Sequence, residues 1–124
     1  MGGQPQGILE RSFDFAVRII KLCQYLDERP GVARVLMPQI LRAGTSIVSN
    51  VEEAQAGQSR ADFISKMSIA LKEARETRIR LRLLAASDVV SARRLDPILK
   101  ESEEVMRILG AIVVSSKRGG PDNE

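Results

Sequence analysis

Residues 39–84 read QILRAGTSIVSNVEEAQAGQSRADFISKMSIALKEARETRIRLRLL, and they predict a helical hairpin. On both sides of a turn at residues 57–59, apolar side chains recur every three or four positions, the spacing of helices that pack on other helices. We predict one helix that ends near Ala56 and a second that runs to about Ser87. The inner stripe of the first consists of Leu36, Ile40, Ala43, Ile47, Val51 and Ala54. The inner stripe of the second consists of Phe63, Met67, Ala70, Ala74, Thr77, Leu81 and Leu84.

The middle of both stripes is small, which lets the two backbones approach closely. Two further helices are predicted on either side of this hairpin. The first runs from Ile8 or Ser12 to Glu28 and carries two neighbouring apolar stripes, Phe15, Ile19, Leu22 and Leu26 and then Phe13, Ala16, Ile20 and Cys23. Because proline fits best in the first turn of a helix, Pro38 indicates that the second helix becomes regular only around Met37. In the last helix, Asp96 is predicted to be the N-cap and Pro97 the first residue.

The predicted architecture is therefore all-α, an antiparallel up-down-up-down four-helix bundle. The bundle is expected to span residues 11–118, after a flexible N-terminal lead at 1–10 and before a disordered tail at 119–124. The chain has 124 residues, 44% of them apolar, which is enough for one domain with one core. Only 3% are aromatic, so the core is expected to be aliphatic.

The composition excludes several kinds of catalytic site. The chain contains no histidine, so it has neither a Ser-His or Cys-His nucleophile pair nor a carboxylate–histidine metal site. A di-metal centre made of acids such as Glu52, Glu53, Glu73 and Glu76 is the remaining enzymatic alternative, but such bundles usually also need Glu-x-x-His. We therefore expect no enzyme activity, no metal and no other cofactor.

The single cysteine and the hydropathy pattern bear on location. Cys23 cannot form an internal disulfide, which fits a reducing compartment and predicts a cytoplasmic protein. Because Cys23 lies on an apolar stripe, we expect it to be a small buried residue. No apolar run approaches the roughly 20 residues needed to span a bilayer, so no membrane association is expected.

A polar row lies beside the inner stripe of the second helix, and it indicates either a solvated face or a seam against the third. On a helical wheel of 100° per residue, Arg42, Ser46 and Asn50 share one flank. The like-handed flank of the third helix carries Lys66, Glu73 and Glu76. Since antiparallel neighbours bring like-handed flanks together, we predict that Arg42 pairs with Glu73 or Glu76 and that Asn50 lies level with Lys66.

The third helix also carries the densest charge of the chain. Its arginines, with two more in the predicted linker before the last helix, are candidates for contact with nucleic acid: Arg75, Arg78, Arg82, Arg93 and Arg94. The alternative is that these arginines are only solvated or paired with acids. A second apolar stripe, formed by Ile79, Leu83 and Ala86, lies on the expected solvent side and predicts a contact with another chain.

The hairpin resembles a known protein family. It contains the pattern Gln39-x-x-Arg42-Ala43-x-x-Ser46-Ile47-x-x-Asn50-Val51-x-Glu53, followed by Phe63 and Ile69-Ala70. This pattern is similar to that of the four-helix bundle proteins called large-subunit ribosomal RNA intervening-sequence proteins. The runs Lys72-Glu73-Ala74-Arg75-Glu76-Thr77-Arg78 and Leu81-Arg82-Leu83-Leu84 resemble one branch of that family especially well.

The resemblance implies a left-handed bundle that assembles into a homopentamer, with no established enzymatic activity. A related accessory protein of diversity-generating retroelements is a basic pentamer that binds nucleic acid and its reverse transcriptase. This chain departs from its relatives at Glu53-Ala54, where many have Glu-Gly, and at Ile79-Arg80, where the close branch often has Tyr-Trp. The second departure removes an aromatic surface on which nucleic-acid bases could stack.

Two functions follow as hypotheses. The first is a non-enzymatic oligomer, pentameric by resemblance, whose arginine-rich third helix contacts RNA, DNA or a reverse-transcriptase-like protein. The second is a structural or scaffold protein that binds another protein through an apolar helical surface. The nucleic-acid hypothesis depends on the arginines, whereas Ile79 and Leu83 serve both equally well.

Overall fold

Four helices make up the fold in the computed structural model, which describes residues 7–119. They are α1 (Ile8–Asp27), α2 (Val32–Ala56), α3 (Arg60–Ala86) and α4 (Ala92–Arg118). No strand occurs within these residues, so the chain is all-α there. Helix α1 packs on α2, α2 on α3, α3 on α4, and α4 on α1, which closes a four-sided bundle around one core.

The contacts between neighbouring helices run antiparallel. Between α2 and α3, Arg42 reaches Glu76 while Glu53 reaches Lys66. Between α1 and α4, Arg11 reaches Glu101 while Tyr25 lies against Arg94. The predicted turn is confirmed, because Ser59 is the N-cap of α3 and its hydroxyl accepts a 3.0 Å hydrogen bond from the backbone N–H of Asp62.

The core is mainly aliphatic, with Phe15 as the fully buried aromatic side chain. The predicted inner stripes of α2 and α3 are buried, apart from Leu36 and Phe63, which are half-buried. Three polar residues, Ser12, Thr77 and Ser102, are also buried in it. Each of their hydroxyls donates to a backbone carbonyl of its own helix, which satisfies the group without a partner from another helix.

Pro38 and Pro97 both lie inside helices, so α2 is already regular before Met37 and α4 begins before Asp96. Helix α2 is continuous from Val32 through Pro38, because Ala33 and Ile40 are buried on either side and hold that segment against the core. Helix α4 begins at Ala92 with Ser91 as its N-cap, so Asp96 does not cap it. Packing outweighs the one backbone hydrogen bond that each proline removes.

Helix α1 begins earlier than the predicted bundle and buries a narrower face. Residues 8–10, assigned to the N-terminal lead, form its first turn, and Ile8 is buried. Of the second predicted stripe, Ala16 and Cys23 are buried, but Phe13 is 59% exposed and Ile20 42% exposed. Both side chains are apolar, but they lie at the surface and not in the core. The remaining predicted lead (1–6) and tail (120–124) lie outside the described residues.

Gly44, one of the small residues of α2, packs against α1 rather than against α3 as predicted. A Cβ added to Gly44 would lie 2.7 Å from Cγ2 of Ile19 in α1, so glycine at this position permits the close approach of α1 and α2. Ala43, Ala70 and Ala74 are buried, as predicted.

Candidate functional site

The predicted ion pair between α2 and α3 is present. Arg42 Nη1 lies 3.3 Å from Glu73 Oε1, and Arg42 Nη2 lies 2.6 Å from Glu76 Oε2. Arg80, one turn after Glu76 in α3, donates to the same carboxylate at 2.9 Å. Hydrogen bonds from Arg80 and the charge of Arg42 hold the pKa of Glu76 below its ordinary value. The two acids in turn raise the pKa of Arg42.

The other end of this polar row carries an ion pair that the sequence analysis did not predict. Lys66 Nζ lies 2.9 Å from Glu53 Oε1. The middle of the row bonds within α2, because Ser46 donates to the carbonyl of Ala43 and Asn50 to that of Ser46. Ion pairs therefore join α2 and α3 at the two ends of the row. The side chains in the middle of the row hydrogen-bond to the backbone of α2.

Three of the four acids of the di-metal alternative form ion pairs with cations. Glu53, Glu73 and Glu76 each pair with a cation, and Glu52 is exposed. Within residues 7–119, no group of three or more Cys, Asp or Glu side chains is arranged to hold a metal ion. Nor does any helix in that range have the length and apolarity to cross a membrane.

The single thiol is built into the α1–α2 contact. Cys23 is 3% exposed, and its Sγ donates to the carbonyl of Met37 at 3.8 Å. Burial raises the pKa of the Cys23 thiol to about 11, so the nucleophilic thiolate is scarce at neutral pH.

The arginines proposed for nucleic-acid contact differ in their position and in their contacts. Arg75 and Arg82 are exposed on α3, and neither makes a hydrogen bond or ion pair with any part of the chain that the structure describes. Arg78 lies between them and is held by Glu103 of α4, with Nε 3.4 Å from Oε2. Arg93 and Arg94 lie in the first turn of α4, where Arg94 turns towards α1 rather than α3.

Two apolar surfaces are exposed on different sides of the bundle. The predicted interface residues Ile79, Leu83 and Ala86 all face solvent, with Leu83 58% exposed. On α1, Phe13, Val17 and Ile20 form a second surface, and each is at least 37% exposed. The sequence analysis had placed Phe13 and Ile20 on the second apolar stripe of α1.

The sequence analysis also missed a cationic cluster between α1 and α4. The ring of Tyr25 is contacted by two guanidinium groups, with Cζ of Arg94 3.6 Å and Cζ of Arg29 4.0 Å from its centroid. A groove of about 240 Å³ opens beside it. We call this the α1–α4 groove, and it is lined by Arg18, Lys21, Leu22, Arg94, Pro97 and Ile98.

A signal for this cluster was present in the sequence. Arg18, Lys21, Tyr25 and Arg29 are spaced three or four residues apart, which places them on one side of a helix. The acids of the same face are held at its other end, where Arg11 pairs with Glu104 and, at 3.2 Å, with Glu101. The hydrogen bond and charge of Arg11 lower the pKa of Glu104.

Comparisons with known proteins agree with the resemblance noted above. The model of the family described as 23S rRNA-intervening sequence protein matches residues 6–111. A solved structure of a protein of unknown function from the S23 ribosomal protein family of Bacteroides thetaiotaomicron is 40% identical, with a TM-score of 0.80. That match covers 86% of this chain and 98% of the other. No curated protein matches. The chain therefore belongs to the 23S rRNA-intervening sequence protein family.

Proposed function

We propose that this protein is a non-enzymatic, self-associating helical bundle that contacts nucleic acid through α3. The observation that carries the proposal is the outward surface of α3, where Arg75 and Arg82 are exposed without acidic partners in the described range. An arginine that is not engaged by a carboxylate is available to a phosphate, which its guanidinium can bind through two parallel hydrogen bonds.

The spacing of these two arginines suits an extended polyanion. They are seven residues apart, which is about two helical turns or roughly 10 Å along one side of α3. One such pair binds phosphates weakly, but several copies in one assembly would add their contacts along the same strand. The family is named for intervening sequences of 23S rRNA, so RNA is the first ligand to test. A cytoplasmic location belongs to the same proposal.

Self-association is the second part of the proposal. Ile79 and Leu83 lie beside Arg75 and Arg82, about 60° around α3, so contact with another copy would remove the two apolar side chains from water and leave the arginines at the rim of the interface. The family resemblance favours five copies. Light scattering at micromolar concentration is expected to give about five chain masses, and Leu83→Glu is expected to shift the protein towards smaller species, because a carboxylate would be buried there unpaired. A wild-type monomer would refute this part.

Filter binding with a structured RNA at two salt concentrations tests the nucleic-acid contact. Arg75→Gln with Arg82→Gln is expected to weaken binding and to lower the slope of log K against log salt by about one to two, since each lost phosphate contact removes about one counterion. The matched control, Arg34→Gln with Lys117→Gln, removes two charges outside α3 and should leave the slope near that of wild type. Absence of binding at low salt, or binding indifferent to salt, contradicts the proposal.

A second candidate function is that of a scaffold for another protein, such as a reverse-transcriptase-like enzyme. The observation that favours it is the exposed surface of Phe13, Val17 and Ile20 on α1, which is separate from the stripe of α3. Pull-down from the native cell distinguishes the two functions. Recovery of RNA or DNA that nuclease treatment releases supports the first, whereas one stoichiometric protein that survives nuclease supports the second.

A further inference from the structure

We infer that the α1–α4 groove is a separate binding site for single-stranded nucleic acid, in which a base stacks on the arginine–tyrosine cluster and phosphates pair with the rim. This inference rests on the proposed contact with nucleic acid, and it assigns a second surface to that contact. It gives roles to Tyr25, Arg29, Arg18 and Lys21, which the α3 surface leaves unused.

The stacking part of the site is organised around Tyr25. This residue is half-buried and packs against the core, so its ring has a fixed position. Arg94 and Arg29 lie against that ring at 3.6 and 4.0 Å, within the range of a cation–π contact. Such a contact orients the flat guanidinium groups. The result is a planar, cationic stack of a kind on which unpaired bases are laid in single-strand recognition.

The phosphate part of the site is the groove next to this stack. Its floor is apolar, from Leu22, Pro97 and Ile98, and its rim carries Arg18, Lys21 and Arg94. Neither Arg18 nor Lys21 has a hydrogen-bond or ion-pair partner within residues 7–119.

The cations next to this groove outnumber the acids, of which Asp14 lies on the same side of α1, one turn before Arg18. Glu101 and Glu104, the acids of α4 on the same face, are both engaged by Arg11. Arg18 and Tyr25 are two helical turns apart, about 10 Å, so rim and stack can be occupied by one short stretch of a strand.

The chemistry selects a single strand over a duplex. In a duplex the faces of the bases are covered by their neighbours, so a duplex offers phosphates, sugars and base edges but no base face for stacking. The groove, with a volume of about 240 Å³, has room for a base beside its apolar floor. The arginines of α3 have no aromatic neighbour and make no such distinction, so the two surfaces should respond differently to the form of the ligand.

The chain provides its own reporter for this site. Tyr25 is the only tyrosine and there is no tryptophan, so intrinsic emission near 300 nm comes essentially from Tyr25. A labelled 12-nucleotide uridine oligomer is the probe, with a 12-base-pair duplex and inorganic polyphosphate as comparisons. We expect the oligomer to quench Tyr25 emission on binding. Polyphosphate has charge but no bases, and it should compete for the groove without that quenching.

Substitutions then separate stacking from charge. Tyr25→Leu is expected to weaken binding of the oligomer about tenfold, the scale of one lost stacked base, and to change duplex binding less than twofold. Tyr25→Phe keeps the ring and should remain within twofold of wild type for both ligands. Arg18→Gln with Lys21→Gln changes exposed side chains only, so it tests the groove in a folded protein, and it should weaken oligomer binding while leaving the duplex contact with α3.

The outcomes are distinguishable from those of the α3 proposal. If the wild type binds neither oligomer nor duplex, the proposed nucleic-acid function fails and this site fails with it. If Arg75→Gln with Arg82→Gln reduces binding but the Tyr25 and Arg18/Lys21 variants match wild type for the oligomer, only the groove is refuted. Equal loss of oligomer binding in Tyr25→Leu and Tyr25→Phe overturns the stacking role.

Discussion

The α2–α3 side and the α1–α4 side of the bundle use their charges differently. On the α2–α3 side, Arg42 and Arg80 close around Glu76, and Lys66 closes on Glu53. On the α1–α4 side, the acids are held at one end by Arg11, and the other end gathers cations around Tyr25. The first arrangement neutralises itself within the fold. The second leaves positive charge at the surface.

This difference teaches which arginines to expect in function. An arginine in a dense charged helix is easily taken for a ligand-binding residue, yet Arg78 and Arg80 are engaged by acids. Within the described residues, Arg18 and Lys21 have no acidic partner and line the α1–α4 groove, and Arg75 and Arg82 have none on the outer surface of α3. The comparison therefore predicts that the buried core supplies most of the free energy of folding on both sides of the bundle. The surface charges mainly determine where binding partners attach.

The largest expected effect tests that prediction. Leu109→Ala in α4 removes a side chain that is fully buried, and it should lower the free energy of unfolding by about 2–5 kcal/mol through lost transfer energy and a cavity. Urea denaturation at pH 7 measures the change. If neutralising charges on either side lowers stability as much as this core truncation, the comparison is wrong.

The next effect concerns the position of α1, which carries half of the residues that line the groove. An alanine Cβ at Gly44 would lie 2.7 and 2.8 Å from two γ carbons of Ile19, a stiff β-branched residue. Gly44→Ala should gain about 1 kcal/mol in helix propensity and lose about 1–3 kcal/mol to overpacking. Gly110→Ala is the matched control, since a Cβ there meets nothing within 4 Å, and it should stabilise. Equal stabilisation by both substitutions would show that α1 is not placed by this contact.

A smaller effect is expected from the charges themselves. In a double-mutant cycle, Arg42→Ala and Glu76→Ala should couple favourably, because the two side chains are 2.6 Å apart. The same cycle with Glu73→Ala should give a weaker coupling. The matched cycle on the other side, Lys21→Ala with Arg94→Ala, joins like charges and should give no favourable coupling. Zero coupling in both Arg42 cycles would mean that these side chains are solvated and that their ion pairs add nothing to stability.

Much of the α2–α3 side could be read from the sequence because local rules suffice there. A turn at residues 57–59 fixes the antiparallel register, and a helical wheel then brings Arg42 to the level of Glu73 and Glu76. The rules failed where packing overrides them. Pro38 and Pro97 each sit within a helix because buried neighbours hold the backbone in place.

The α1–α4 groove was out of reach for a different reason. The spacing of Arg18, Lys21, Tyr25 and Arg29 shows one face of α1, but not which helix faces it. That depends on the ends of α4, and the start of α4 was predicted at Asp96, after Arg94. With Arg94 placed in a linker, nothing in the sequence brings it to Tyr25. The exposure of Phe13 was missed for a related reason, because an apolar residue on α1 does not show how wide the buried face of that helix is.

The smallest expected effect is a difference in pH dependence between the two sides. The pKa of Glu76 is lowered in the folded protein, mainly by hydrogen bonds from Arg80 and by Arg42. A carboxyl group with a lowered folded pKa adds stability that is fully present above its unfolded value, near 4.3, and is lost as the pH falls through the folded pKa. The gap in unfolding free energy between wild type and Glu76→Gln should therefore be constant from pH 7 to about 5 and should narrow below about 4. Arg18→Gln with Arg94→Gln breaks no ion pair within residues 7–119, so its gap should be flat over the same range. Urea titrations at several pH values measure both, and a flat gap for Glu76→Gln would mean that the carboxylate gains nothing from its two arginines.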